Sequence, residues 1–283
     1  MSIIEALILG AVQGITEFLP VSSSGHLVLL QKIFKIEEPS LFFDTMVHAG
    51  TLAAVFVVLW RDIWNILRRI IQPITLYLII GTLPAVFVAL VFKDHIENAF
   101  ASGSFLGFAF LITSVLLIAS EFICRRSGNR RGLPGKIEGD GAPRGQDEMT
   151  RLDALVIGVL QAIAILPGVS RSGATLSGAL SRRLDRDFAA RFSFLLSIPA
   201  ILGAVALQVK DLAGGTKGGI GQSMSSGAAV IIAGTLAAAL VGFFSVRLML
   251  KIVRERSLAG FAVYTALLGV LVLADQYKTH FFF

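Results

Sequence analysis

The chain is poor in cysteine and in charged residues. Its 283 residues include a single cysteine, Cys124, which excludes an internal disulfide and a cysteine metal cluster. Only 16% of the residues are charged, whereas 55% are hydrophobic, and the mean hydropathy is +0.78. This composition is typical of a polytopic membrane protein and not of a soluble domain with a large core.

A basic leader segment and an extended basic patch are also missing. No basic region precedes the first apolar run, so we expect no cleavable secretory signal. The net charge of +6 comes from residues in short loops between apolar runs. This distribution favours membrane orientation and contact with anionic membrane lipids, and we expect no nucleic acid partner.

The most informative stretch of the chain runs from Gln13 to His26 and reads QGITEFLPVSSSGH. Before Pro20 the pattern is helical, which places Gln13 and Glu17 four residues apart on one face. Pro20 ends that helix, and three serines stand where a second helix would begin. The free N–H groups of a first helical turn bind anions, so this break between the two helices, the first tip, is predicted to hold phosphate. The predicted phosphate-binding residues here are Ser22, Ser24 and Gly25.

The same tip carries an acid, a nucleophile and a base. Glu17 is flanked by apolar residues, and a carboxylate at membrane depth is costly and usually functional. We predict that Ser23 is the nucleophile and that His26, three residues on, is the general acid/base. Attack by water or by His26 itself stays open. Glu17 is predicted to hold a hard divalent cation, with Gln13 beside it. The structural alternative is a capped turn between two membrane helices.

The apolar runs predict an all-α fold with two broken helix pairs and six spans. Ile3–Phe18 and Val21–Phe34 are each about 20–25 Å long, short of a ~30 Å hydrocarbon core. A pair that enters and leaves on one side of the membrane, a re-entrant pair, therefore fits residues 3–34 better than two spans. The remaining predicted elements are spans at 41–60, 74–92 and 105–124, a polar linker at 125–150, a second re-entrant pair at 154–180, and spans at 192–209, 227–246 and 258–274.

The two halves of the chain are copies of one another. GAVQGITEFLPVSSSGHL, from Gly10, aligns with GVLQAIAILPGVSRSGATL, from Gly158. The copies cover residues 1–124 and 151–283, and each holds one broken pair and three spans. Three is odd, so the second copy is predicted to be inverted in the membrane. Loops 61–73, 125–151, 182–191 and 251–256 carry 17 of the 25 Lys and Arg. The positive-inside rule then makes the linker cytoplasmic and places both termini outside.

The second tip, LPGVSRSGAT, differs from the first in chemistry. Arg171 occupies the position of Ser23, whereas Glu17 and His26 are matched by Ile165 and Ala174. In an inverted repeat the tips can meet near the midplane, so Arg171 is predicted to clamp the phosphates. The structural alternative is an arginine that snorkels to the surface. The other predicted phosphate-binding residues are Ser170, Ser172 and Thr175.

The third apolar segment adds two polar residues. Asp44 and His48 lie four residues apart in the span at 41–60. They are predicted either to support the metal from behind its ligands or to form a hydrogen-bonded pair between helices.

The two tips together resemble the motifs of the bacterial undecaprenyl-diphosphate phosphatase family, the bacitracin-resistance type. Gln13 and Glu17 are similar to its [Glu/Gln]-x-x-x-Glu element, and Pro167 through Thr175 to its Pro-Gly-x-Ser-Arg-Ser-x-x-Thr element. The resemblance implies hydrolysis of a polyprenyl diphosphate lipid to the monophosphate, dependence on Mg²⁺ or Ca²⁺, and bacitracin resistance. It also implies a multi-pass protein of the bacterial plasma membrane whose site opens to the outer side. Gln at position 13 removes one negative charge, so a two-carboxylate metal site is not expected.

A transporter is the competing class. Inverted repeats with broken helices at the midplane are a transporter design, so the same tips could bind or flip an anionic lipid without cleaving it. The asymmetry between the tips favours an enzyme, because a symmetric carrier does not need Glu17 and His26 in one tip only. The sequence leaves open whether the chain forms a homodimer.

Overall fold

A computed structural model of the chain describes residues 1–36, 41–92, 95–96, 103–126, 143–213 and 227–279. These residues form helices joined by short turns and contain no β-strand, which confirms the all-α prediction for this part of the chain. The helices are α1 (Ile3–Thr16), α2 (Ser23–Ile33), α3 (Leu41–Val58), α4 (Trp60–Arg68), α5 (Pro73–Val91), α6 (Leu106–Arg126), α7 (Arg151–Ile163), α8 (Arg171–Ser181), α9 (Arg186–Ala213), α10 (Ala228–Glu255) and α11 (Ala259–Ala274).

In the part of the chain that the structure describes, five helices are long and apolar enough to cross a membrane. The qualifying segments are Pro73–Val91, Leu106–Cys124, Arg186–Leu207, Ala228–Glu255 and Ala259–Lys278. A sixth span results if α3 and α4 are counted together, although the chain bends by 78° between them. These helices support a multi-pass membrane protein by length and composition.

Both broken pairs begin with the same cap. Ser2 accepts a hydrogen bond from the backbone N–H of Glu5 (3.2 Å), and Glu5 accepts from the backbone N–H of Ser2 (2.6 Å). Thr150 and Asp153 make the corresponding reciprocal bonds at the start of α7. Such a capping box satisfies N–H groups that the helix leaves free, and it fixes where α1 and α7 begin. The proline-containing turn at residues 17–22 separates α1 from α2, and residues 164–170 separate α7 from α8.

The two halves of the chain pack together because the first helix of each broken pair lies against a helix of the other half. α1 packs against α10 and α3, and α7 packs against α5 and α8. Gly10 and Gly234 bring α1 and α10 into backbone contact, and Gly158 and Gly81 do the same for α7 and α5. A Cβ atom at Gly10 or Gly158 would collide with the opposite backbone, so these crossings require glycine.

Two helices extend beyond their predicted apolar runs. α9 starts at Arg186, before residue 192, because Asp185 caps it and Arg186 donates to Glu121 of α6 (2.9 Å). α10 continues past residue 246 to Glu255. Apolarity therefore underestimates helices whose charged ends find partners or water.

Candidate active site

The breaks in the two helix pairs meet. Ser172 Oγ donates to the carbonyl oxygen of Leu19 (3.0 Å), and the N–H of Gly168 donates to Ser24 Oγ (3.4 Å). Arg171 at the first turn of α8 forms an ion pair with Glu17 at the end of α1. The turns that interrupt the two helix pairs therefore bring together residues 154 positions apart in sequence.

The carboxylate of Glu17 is the centre of this arrangement. Its side chain is 3% exposed, and it accepts from Gln13 Nε2 (2.8 Å) and from Ser23 Oγ (2.5 Å). Arg171 supplies a positive charge on the other oxygen. Burial of a carboxylate is costly unless it is paired and hydrogen-bonded, and these three groups meet that requirement.

Arg171 is held at both ends of its guanidinium. Nη2 faces Glu17, and Nη1 donates to the carbonyl oxygen of Ser197 in α9 (3.4 Å). The side chain remains 21% exposed. Because a guanidinium has five donors in a fixed fork, it keeps donors for a ligand in the neighbouring cavity while bonded to Glu17.

A cavity of about 320 Å³ opens beside these residues. Its polar lining residues are Glu17, Ser23, Ser24, Asp44, Thr45, His48, Ser170 and Arg171. Its apolar lining residues are Leu27, Val28, Ala164, Val169, Ala200, Ile201, Ala204 and Val205. The mixed lining suits a ligand that has both an anionic group and a hydrocarbon part.

Ser22, the residue before α2, has an unusual backbone conformation. Its φ is +73° and its ψ +97°, which a residue with a side chain rarely adopts. Its hydroxyl caps α2 by accepting from the N–H of Gly25 (3.2 Å). Ser170 caps α8 in the same way from an ordinary extended conformation, with φ −70°. In that turn the inserted Gly168 takes the positive φ, +89°, so the shorter first turn places the strain on Ser22.

The structure divides the predicted phosphate-binding residues into two groups. Ser24 and Ser170 line the cavity. The others bond elsewhere: Ser22 with Gly25 and Ser172 with Leu19 at the helix breaks, and Thr175 with Ser193 of α9 (2.5 Å). Binding of phosphate by all six remains a prediction.

His26 lies away from the other predicted catalytic residues. It is buried, and it is not among the cavity-lining residues, because its ring packs against Phe110 and stacks on Tyr264 of α11. Nδ1 lies 2.6 Å from the carbonyl oxygen of Ser22, and Nε2 lies 2.7 Å from the Tyr264 hydroxyl. Ser23 hydrogen-bonds to Glu17 instead, so the base nearest to the predicted nucleophile is a carboxylate.

Asp44 and His48 both line the cavity on α3. His48 Nδ1 lies 2.6 Å from the backbone carbonyl of Asp44, and its Nε2 lies 3.5 Å from Glu17. Asp44 accepts from Gln31 Nε2 of α2 (2.8 Å). His48 therefore lies next to Glu17, whereas the Asp44 side chain bonds to α2, and a supporting role for the two residues behind a metal stays a prediction.

The predicted metal ligands offer few donors. No group of three or more His, Cys, Asp or Glu that could hold a metal occurs in the described part of the chain. However, Gln13 Oε1 is buried and has no hydrogen-bond partner among the described residues. A carboxylate and an unpartnered amide oxygen are hard donors, and Mg²⁺ commonly takes one or two protein ligands plus water and substrate phosphate. The residues present fit a cation of that kind.

Sequence reasoning missed the residues that support the site from neighbouring helices. Gln31 holds Asp44, the carbonyl of Ser197 holds Arg171, and Tyr264 holds His26. Tyr264 could have been found from the sequence, because the two copies differ there: the first copy has Leu111 at the equivalent position. A hydroxyl on one copy of an apolar helix is the same kind of asymmetry that singled out Glu17 and His26.

Comparison with known proteins identifies the family. The sequence model of the family described as bacitracin resistance protein BacA matches residues 6–271. An undecaprenyl-diphosphatase of Carboxydothermus hydrogenoformans is 45% identical, with 98% of both chains covered. Proteins named undecaprenyl-diphosphatase 4 of Bacillus thuringiensis and undecaprenyl-diphosphatase of Methanosphaera stadtmanae are 40% and 36% identical, over 100% and 96% of this chain and 100% and 98% of their own. The chain therefore belongs to the bacitracin resistance protein BacA family.

Proposed function

We propose that the protein hydrolyses undecaprenyl diphosphate to undecaprenyl phosphate and inorganic phosphate. The observation that carries this proposal is the placement of Glu17, Ser23 and Arg171 together on the wall of a cavity that is also lined by apolar residues. The names of the relatives support the same reaction. Recycling of this lipid carrier of cell-wall synthesis would lower sensitivity to bacitracin, in keeping with the family description.

In this mechanism Ser23 attacks and Glu17 takes its proton. Ser23 Oγ already donates to Glu17 at 2.5 Å, so the proton has an acceptor in place. Attack on the terminal phosphorus forms an Oγ–P bond and breaks the phosphoanhydride P–O bond, and the lipid monophosphate leaves. Water then cleaves the phosphoserine: its hydroxyl goes to phosphorus, its other proton is released to solvent, and the proton on Glu17 returns to the Ser23 oxygen as the Oγ–P bond breaks. The sum is one anhydride and one water consumed, and lipid monophosphate, inorganic phosphate and one proton formed.

Arg171 provides the positive charge for this chemistry. Arg171 and Ser23 contact the same carboxylate, that of Glu17, so the guanidinium lies close to the proposed nucleophile. Charge grows on the phosphate oxygens as the P–O bond breaks, and a fixed guanidinium fork stabilises that charge more than it stabilises the bound substrate.

A divalent cation, when bound, would neutralise charge on the diphosphate. Glu17 and Gln13 Oε1 would hold it. The donors of Arg171 that do not contact Glu17 would bind the substrate phosphates.

We further propose that the chain is an inverted repeat in the bacterial plasma membrane with its site open to the outer side. Equivalent capping boxes and equivalent glycine crossings in the two halves support a pseudo-two-fold relation. α1 and α7 have 14 and 13 residues, about 20 Å each at 1.5 Å per residue, which supports re-entrant pairs at 3–34 and 154–180. The basic loops support a cytoplasmic linker at 125–150.

Phosphate release in detergent tests the function, because transport is impossible there. Purified wild-type protein and Ser23→Ala would be assayed on undecaprenyl diphosphate with Mg²⁺ or Ca²⁺. Ser245→Ala is the matched control, because the Ser245 hydroxyl donates to the carbonyl of Val241 within α10 (2.9 Å) and Ser245 does not line the cavity. We expect release by the wild type and by Ser245→Ala, and loss in Ser23→Ala. Binding of the lipid without release by the wild type would instead favour a transporter or flippase.

A further inference from the structure

We propose that Tyr264 is a positioning residue for the reaction: it holds His26, and His26 holds the strained carbonyl next to Ser23. This proposal rests on the proposed function for its kinetic part. The contacts that carry it join α11 of the second half to the first tip through two hydrogen bonds in series, Tyr264 to His26 and His26 to Ser22.

The chemistry of the two bonds sets their direction. A carbonyl oxygen only accepts, so the proton lies on Nδ1 of His26, which donates to Ser22 over 2.6 Å. In the neutral ring Nε2 then has a lone pair, and the Tyr264 hydroxyl donates to it over 2.7 Å. The tyrosine therefore selects the tautomer that can hold Ser22.

The ring is also fixed by its packing. Its plane lies 11° from that of Tyr264, with centroids 5.7 Å apart, and it meets Phe110 edge to face at 5.6 Å. Tyr264 is 46% exposed, yet its hydroxyl points inward to a buried partner. These two ring contacts suit a side chain with a fixed supporting role better than one that must move to reach a substrate.

The strained residue explains why a supporting side chain is needed. Ser22 is the residue before the nucleophile, and its φ of +73° is unfavourable for a residue with a side chain. The Ser22 carbonyl accepts twice from His26, from the backbone N–H (3.2 Å) and from Nδ1 (2.6 Å). At the equivalent position of the second copy Ser170 is unstrained, and Ala174 supplies only its backbone N–H. The histidine therefore occurs where the turn is strained.

Substitution of His26 separates a supporting role from an acid/base role. Asn places its Nδ2 donor where the imidazole has Nδ1, but it cannot exchange a proton at neutral pH. We expect His26→Ala to lower kcat by about 10²-fold, the cost of a misplaced reacting group, and His26→Asn to recover to within about 10-fold of wild type. If His26→Asn is as slow as His26→Ala while both variants remain folded, the proposal is wrong.

Removal of the Tyr264 hydroxyl tests the series arrangement. Tyr264→Phe is expected to lower kcat by about 2- to 10-fold, the usual worth of one hydrogen bond, and to have no further effect in the His26→Ala background. Tyr277→Phe, on a 69% exposed tyrosine further along the chain, is the matched control and should behave as wild type. An equal effect of Tyr264→Phe in both backgrounds would contradict the proposal.

A second readout does not depend on catalysis. The only native cysteine, Cys124, is buried, so Ser23→Cys introduces a thiol that a small methanethiosulfonate reagent can label selectively. Added His26→Ala should relax the turn and raise the labelling rate by about 2- to 10-fold, whereas added His26→Asn should not. Equal labelling in the two double variants would overturn the positioning role even in a wild type that hydrolyses the lipid. Expected labelling in a protein that releases no phosphate would overturn only the proposed function.

Discussion

Replacement of Arg171 should separate stability from activity. The guanidinium neutralises Glu17, whose side chain is 3% exposed, and it also donates to the carbonyl of Ser197. Arg171→Ala therefore leaves a buried carboxylate without its cation. Removal of one partner of a fully buried pair typically costs about 3–5 kcal/mol.

The expected loss is smaller here, because the Arg171 side chain is 21% exposed to the cavity and water can replace part of its charge. We expect about 1–3 kcal/mol, or a fall in Tm of about 3–10 °C for a chain of this size. The double variant Glu17→Gln/Arg171→Ala has no buried charge to compensate and should regain most of that Tm. It should remain inactive, because both the base and the phosphate donor are gone.

Arg171→Lys distinguishes charge from geometry. Lysine keeps a positive charge next to Glu17 but has a single nitrogen, which cannot bond Glu17, Ser197 and a phosphate in the fixed fork of an arginine. We expect a Tm within a few degrees of wild type and a kcat lower by about 10²–10³-fold, the usual effect of losing one transition-state donor. The snorkelling alternative predicts instead that lysine substitutes well.

The assay is phosphate release at saturating lipid together with thermal unfolding in the same detergent. Arg191→Lys is the matched control, since Arg191 also bonds two partners, Asp187 (2.7 Å) and Asp62 (3.1 Å), but lies outside the cavity. It should retain full activity. Near-wild-type turnover of Arg171→Lys would refute the site assembled from two tips, and an unchanged Tm of Arg171→Ala would refute the ion pair.

Three further predictions concern the nucleophile, the cation and a buried carboxylate at the start of α7, Asp153. Ser23→Ala should lose phosphate release by more than about 10²-fold, and single-turnover reaction of the wild type should yield an acid-stable phosphoserine detectable by mass spectrometry; full activity of the variant would move the attack to water. Excess EDTA should abolish hydrolysis and added Mg²⁺ or Ca²⁺ should restore it, whereas full activity in EDTA would end the cation proposal. Burial by itself raises the pKa of Asp153, but hydrogen bonds from Arg144, Arg182 and Thr150 lower it to about 2. The ionised carboxylate therefore stabilises the folded state above pH 3.8, the ordinary pKa of aspartate, and this stabilisation is lost as the pH falls through about 2. Asp153→Asn should therefore lower Tm at pH 7, and the difference from wild type should shrink below about pH 4 when Tm is measured across that range.

The sequence predicted what depends on residue type and spacing. Apolar runs and a duplication gave an all-α chain, and the motifs gave a family membership that the comparisons confirm. The unequal tips pointed to Glu17, Ser23 and Arg171, which the fold brings together.

Contacts that depend on side-chain direction could not be predicted in this way. Spacing placed His26 on the same face as Ser23, but the turn at Ser22 directs Ser23 to Glu17 and leaves the imidazole against Tyr264. A turn that follows proline breaks the helical register on which the spacing rule depends. Partners from remote helices, such as the carbonyl of Ser197, have no sequence signature.

The packing of the first helix against the other half of the chain has a consequence for biosynthesis. α1 is made first, yet its backbone contact at Gly10 is with Gly234 in α10. At about 5–20 residues per second, the ribosome needs about 10–45 s to reach that partner. For most of this interval Arg171 has not been made, so Glu17 lacks the cation that pairs with it in the folded chain. Burial of the Glu17 carboxylate in its final site therefore has to wait for the second half of the chain.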